Sequence, residues 1–188
     1  MLDTITQKKT VNGIDLDALA DAVSAIEKDP ANGKVAFRVR TEWTGQTRSE
    51  TTIDSCTLGG VKIDRRFKIV ADEPHELFGT DSAPNPQELL MSAVNACMMV
   101  GYVEHAAMCG VTLTTCRIEM EGEIDLRGAL ELDPDVPNGY RQLDYVVTLE
   151  GDGTREQYEE IHEAVKATSP NFFNINTAIT MNGRLQAD

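Results

Sequence analysis

Aromatic residues are scarce in this chain: five Phe, four Tyr and one Trp make up 5% of 188 residues. The apolar fraction still reaches 41%, so a core must lean on Leu, Val, Ile and Met, and Met packs adaptably. Basic residues are also few, 17 against 31 acidic, for a formal net charge of −14. That balance argues against nucleic acid, because phosphate binding needs clustered Lys and Arg. It equally disfavours an anionic membrane surface. No uncharged apolar run reaches the roughly 20 residues a bilayer needs. The start, Met1-Leu2-Asp3-Thr4, lacks the basic segment and apolar run of a signal peptide. The four cysteines, Cys56, Cys97, Cys109 and Cys116, form no CxxC pair and no Cys/His ligand spacing. Zinc is therefore not expected, and free thiols in a reducing, cytoplasmic compartment are.

What is present is concentrated between Pro84 and Gly110. Pro86 suits the first position of a helix and Gly110 the residue just past its end. Between them Leu89, Leu90, Met91, Val94, Met98, Met99, Val100, Tyr102 and Val103 point in nearly every direction of a 3.6-residue helix. A helix apolar all round is buried all round. At about 24 residues and about 36 Å it is too long for two small sheets and one amphipathic helix to cover. A second copy across a two-fold axis supplies the missing cover most simply, with Val94, Met98 and their neighbours at the interface.

Around that helix the patterning is mixed. Leu16, Leu19, Ala20, Val23 and Ile26 predict an amphipathic helix at about 15–28. Alternation predicts a strand over 35–43, a second from Ser49 to Cys56 and a third near 61–70, with turns at Gly45 and Gly59-Gly60. Residues 72–85 read as a loop. After Gly110 come a long strand within 111–126, an acidic turn-rich loop at 133–139, and a strand over 140–150. Thr154 with Gln157 forms a capping box for a helix that Ser169-Pro170 ends, and residues 176–181 predict a last short strand. The order is that of an α+β fold.

Cys97 lies halfway along the apolar helix. Apolar surroundings disfavour a thiolate, so chemistry there needs a cation and a carboxylate. Arg48, in the hairpin Glu42-Trp43-Thr44-Gly45-Gln46-Thr47-Arg48, could supply a charge that does not titrate away. Glu88, at the start of the same helix, could orient that guanidinium. It lies nine residues and about 13 Å from Cys97 along a straight helix, so the two meet only through a bridging Arg or across a dimer. Cys56 and Cys116 read as structural strand thiols, His105 as a helix-surface or interface residue, and His162 as packing.

The run Asn85-Pro86-Gln87-Glu88-Leu89, its spacing to Ala96-Cys97, the lead-in Ala71-Asp72-Glu73-Pro74, and Ser169-Pro170 after a helix resemble the osmotically inducible protein C family. That family includes the organic hydroperoxide resistance proteins. The likeness covers about residues 35–183. It implies a domain over 35–188 with residues 1–34 as an extension, and an intertwined homodimer of central buried helices wrapped by antiparallel sheets. It also implies a cysteine-based peroxidase acting on organic hydroperoxides without metal or organic cofactor. Carried onto this sequence, the peroxidatic thiol is Cys97 and the activating Arg is Arg48 or Arg40. Two positions depart from the family pattern. Ser169 stands where a resolving cysteine precedes a proline, and Gln87 follows Asn85-Pro86 where the peroxidases carry Glu, with Glu88 one residue later. A chain of this kind would turn over through an external thiol, and Ser169 should sit within reach of Cys97. The rival expectation is a non-catalytic dimer whose cleft holds a small apolar ligand.

Overall fold

The computed structural model describes residues 10–187; the opening residues on which the signal-peptide reading rests lie outside them. The chain divides into two compact units, Met1–Ser92 and Ala93–Asp188.

The first unit opens with a two-residue hairpin, β1 (Thr10–Val11) and β2 (Ile14–Asp15), which feeds α1 (Leu16–Lys28). Asp15 caps α1 by accepting from the Ala18 N–H at 3.1 Å, satisfying one of the orphan donors of the first turn. A four-stranded antiparallel sheet follows: β3 (Val35–Phe37), β4 (Arg40–Gly45), β5 (Arg48–Leu58) and β6 (Val61–Ala71). The single strand expected over 35–43 is two strands. Phe37 pairs with Cys56 and Arg40 with Thr52, so residues 38–39 step the chain from one end of β5 to the other. β6 lines the opposite edge of β5 along its whole length. The sheet's large apolar side chains stay open: Phe37, Trp43, Val61 and Phe67 are all more than half exposed.

The helix α2 (Pro86–Met108) starts and ends where Pro86 and Gly110 place it. Gly110 takes φ +71°, and the Val111 N–H reaches back to the Ala106 carbonyl at 2.8 Å. A left-handed glycine thus closes the last turn.

In the second unit, β7 (Leu113–Glu121) pairs antiparallel with β8 (Asp144–Gly151), and a short α3 (Leu126–Ala129) lies between them in sequence. α4 (Arg155–Thr168) begins with the expected capping box of Thr154 and Gln157. The core is continuous. Val94, Met98, Tyr102 and Ala106, spaced four residues apart on one face of α2, meet Ile161 and Val165 of α4 and the inner residues Cys116, Ile118, Met120, Tyr145, Val147 and Leu149 of the two strands. A bulge between Leu113 and Thr115 shifts the alternation by one residue, which keeps Leu113 on the same inner face as Cys116.

Two expectations are corrected here. The apolar helix is not evenly buried within the second unit: Val94 is 3% and Met98 0% exposed, whereas Val100 is 56% exposed. Val94 and Met98 are therefore covered by their own chain rather than kept for a partner. The last strand is also absent. Pro170 starts a further helix, α5 (Pro170–Asn176), and residues 177–187 carry no regular structure. A strand exists only by pairing, and no described strand pairs with this segment.

Candidate functional site

Cys97 sits on α2, half-buried and unbonded to any other cysteine. Within the second unit its sulfur is met by the hydroxyl of Ser169, whose Oγ donates to Sγ at 3.5 Å. Ser169 is 4% exposed. This is the contact that the Ser169-Pro170 position led us to expect, across 72 residues of sequence. It depends on how α4 ends. The Ser169 N–H closes α4 onto the Val165 carbonyl at 2.8 Å, and the Ser169 carbonyl starts α5 by accepting from the Phe173 N–H at 3.0 Å. Asn171 adds a second tie: its Nδ2 donates to the Ala93 carbonyl at 2.9 Å, one helical turn before Cys97.

Glu88 and Arg48 belong to the first unit. Glu88 is held by its own helix end: Oε2 accepts from the Asn85 N–H at 2.8 Å, and Asn85 Oδ1 accepts from the Glu88 N–H at 2.8 Å. That reciprocal cap satisfies two orphan donors. Its signature, Asn followed three residues later by Glu, was in the sequence. Arg48 opens β5 and donates through Nη1 to Thr44 Oγ1 at 3.1 Å. Arg40, the other candidate, faces Glu42 on the open sheet surface at 3.8 Å.

The turn that carries Arg48 is fastened by Asp72, which the sequence places in the Ala71-Asp72-Glu73-Pro74 lead-in without indicating a role. Asp72 is fully buried, and its carboxylate collects donors from three segments. Thr47 Oγ1 donates at 2.7 Å and the Glu73 N–H at 2.9 Å. The Thr80 N–H donates at 3.1 Å together with the Thr80 hydroxyl, and Ser82 gives its hydroxyl at 2.8 Å and its N–H at 3.2 Å. The Thr80 and Thr47 hydroxyls foremost hold the carboxyl far below the usual carboxylate range. Gln46 reinforces the tie by donating to the Phe78 carbonyl at 2.9 Å. Gly79 closes the loop where no side chain fits, since a Cβ there would lie 1.7 Å from the Glu73 oxygen.

Both histidines of the second unit meet side chains of that unit. His162 Nδ1 lies 2.6 Å from the Tyr102 hydroxyl, the rings stacked at 6.0 Å. Burial pushes the Tyr102 phenol up, so it keeps its proton. His105 Nε2 lies 3.1 Å from Thr168 Oγ1. Burial also raises the Cys116 thiol, which suits a structural strand cysteine. Among the described residues, no group of His, Cys, Asp and Glu is arranged to hold a metal ion, and no helix is long and apolar enough to cross a membrane.

The elements thus define a mixed α and β protein with one long thiol-bearing helix. The family model for OsmC-like proteins matches residues 79–182, more than half of the chain, and the chain belongs to that family. Among solved structures it is similar to the OsmC-like protein from Mycoplasma pneumoniae, at 14% identity over 74% of this chain and 86% of that one, with a TM-score of 0.59. It is also similar to an OsmC-like protein of unknown function from Vibrio cholerae O1, at 15% identity over 75% and 94%, with a TM-score of 0.56. At such identities the likeness is one of fold. No curated protein matches the sequence.

Proposed function

We propose that the protein reduces organic hydroperoxides through Cys97 in a one-cysteine cycle that an external thiol completes. The observation that carries this reading is the half-buried, free Cys97 sulfur facing the buried Ser169 hydroxyl. This is the pairing the family resemblance implies, with serine in the resolving position. In the proposed step the thiolate attacks the distal oxygen of the hydroperoxide. The S–O bond forms as the O–O bond breaks, and the alkoxide takes a proton from water and leaves as an alcohol. Sulfur is oxidised to the sulfenic acid. One external thiol then forms a mixed disulfide and releases water, and a second restores Cys97. Arg48 is proposed to stabilise the thiolate, with Glu88 orienting the guanidinium.

The working form is proposed to be a homodimer in which two α2 helices lie side by side beneath the sheets, with residues 1–34 as an appendage to the 35–188 domain. Large apolar side chains left open within each unit support this. Val100 is 56%, Phe67 53% and Ile69 42% exposed, and the buried apolar core of the described residues belongs wholly to the second unit. An aspartate at an apolar interface would be desolvated without a partner. Val100→Asp should therefore raise the dimer dissociation constant by about a hundredfold or more, read by sedimentation equilibrium. A stable monomer of the unaltered chain would remove the dimer.

The activity is tested with tert-butyl hydroperoxide and a dithiol in excess. The unaltered chain should consume the peroxide and Cys97→Ser should not. Arg48→Met should be slower by about tenfold to a hundredfold, the effect of removing one neighbouring positive charge from a thiolate. If the unaltered chain consumes no peroxide, the small-ligand-binding reading replaces this one.

A further inference from the structure

We infer that Ser169 is itself a catalytic residue, the hydrogen-bond donor that stabilises the Cys97 sulfur as a thiolate before the peroxide step and as a sulfenate after it. The inference rests on the proposed chemistry at Cys97 and assigns a role to the residue that stands in the resolving position. A serine at a helix N-terminus ordinarily turns its hydroxyl back to cap the first turn. Ser169 heads α5 and makes no side-chain cap. Its hydroxyl goes to Cys97 instead.

The backbone fixes that choice. Ser169 ends one helix and begins the next, with both its N–H and its carbonyl bonded, and Pro170 at the first position of α5 restricts the junction further. The tie from Asn171 to the Ala93 carbonyl holds the junction against the turn of α2 that ends at Cys97. At 4% exposure little water competes for the hydroxyl, so its proton has the sulfur as its partner.

A thiol is a weak acceptor, whereas a thiolate accepts strongly. The hydroxyl therefore gains more from the ionised sulfur than from the neutral one, and that difference favours ionisation. Ser169 keeps its proton throughout. Unlike the thiol it replaces, a hydroxyl forms no disulfide. The sulfenic acid therefore remains on Cys97 until an external thiol arrives, and the same hydrogen bond steadies its anion meanwhile.

The test uses full-length protein with Cys56, Cys109 and Cys116 replaced by alanine, and compares Ser169, Ser169→Ala and Ser169→Thr. Iodoacetamide alkylation of Cys97 is followed across pH, with far-UV circular dichroism as the check on folding. Ser169→Ala removes one oxygen and adds no bulk. It should move the alkylation midpoint upward by about one pH unit, a tenfold loss of thiolate below the midpoint. Ser169→Thr, which restores a donor, should recover most of that loss. Superimposed curves for Ser169 and Ser169→Ala overturn the inference, as does a folded threonine variant that behaves like alanine. Peroxide consumption by the unaltered chain separates the two proposals. An alanine shift in a chain that consumes no peroxide leaves the Ser169 assignment standing and removes the peroxidase. Consumption with no alanine shift does the reverse.

Discussion

Ser169→Cys should close a disulfide to Cys97 within a single chain when the protein meets one equivalent of organic hydroperoxide. The Ser169 oxygen already lies 3.5 Å from the Cys97 sulfur, and a sulfur in its place sits further out on a longer bond. Reaching the S–S distance of about 2.05 Å then asks for a small torsional adjustment. The chemistry balances: the peroxide converts Cys97 to a sulfenic acid, the introduced thiol attacks that sulfur, and water leaves. Peptide mass mapping should find the crosslink in nearly all chains, and a dithiol should reverse it. Because the bond spans 72 residues of chain, the oxidised variant should also resist unfolding by about 4 kcal/mol relative to its reduced form, on the chain-entropy account. The unaltered protein should show no internal disulfide to Cys97 and should pass to the sulfinic acid under excess peroxide. If Cys97 oxidises normally in the variant yet never forms the bond, the placement of the α4–α5 junction beside Cys97 is wrong.

Replacing Asp72 should have the largest effect on stability in the first unit. Its two oxygens accept from Thr47, Glu73, Thr80 and Ser82. In Asp72→Asn one oxygen becomes an amide that donates, so hydroxyls and N–H groups that now face an acceptor would face another donor. At pH 7 the melting temperature should fall by about 5–10 °C. The pH dependence has a definite sign. The folded-state pKa is depressed by these hydrogen bonds, so the contribution is complete above the unfolded value of about 3.9 and is lost as the pH falls toward the folded one. The gap between the two proteins should therefore be constant from pH 7 to 5 and begin to close below about pH 4. An Asn variant that melts with the unaltered chain at pH 7 contradicts this. In the proposed site the same loss would loosen the turn that carries Arg48, because Thr47 is its neighbour.

Much of this was legible because it is local. Pro86 and Gly110 bound α2 through one missing donor and one left-handed residue, and Thr154 with Gln157 marked the start of α4. What the sequence concealed depends on distant partners. The strand predicted over 176–181 is missing because α5 runs to Asn176 and no described strand pairs with the segment after it. The directionless apolarity of α2 implies burial on all sides, but its fully buried residues are the stripe Val94, Met98, Tyr102 and Ala106 with Ala107 beside it, whereas Val100 is open. Glu88 was read for its charge when its spacing to Asn85 already announced a cap. The role of Asp72 is not legible in the sequence because its donors come from positions 47, 73, 80 and 82, which no periodicity connects. Ser169 was found through resemblance alone, since nothing in the spacing of residues 97 and 169 brings them together.

The central claim is that Cys97 is the atom a hydroperoxide meets. It is tested most directly by adding one equivalent of tert-butyl hydroperoxide, without reductant, to protein in which Cys56, Cys109 and Cys116 are alanine, in the presence of dimedone. The account predicts one dimedone adduct per chain on Cys97, matched by one equivalent of tert-butanol and abolished by Cys97→Ser. Recovery of the peroxide intact, with Cys97 unmodified in a folded protein, would contradict it.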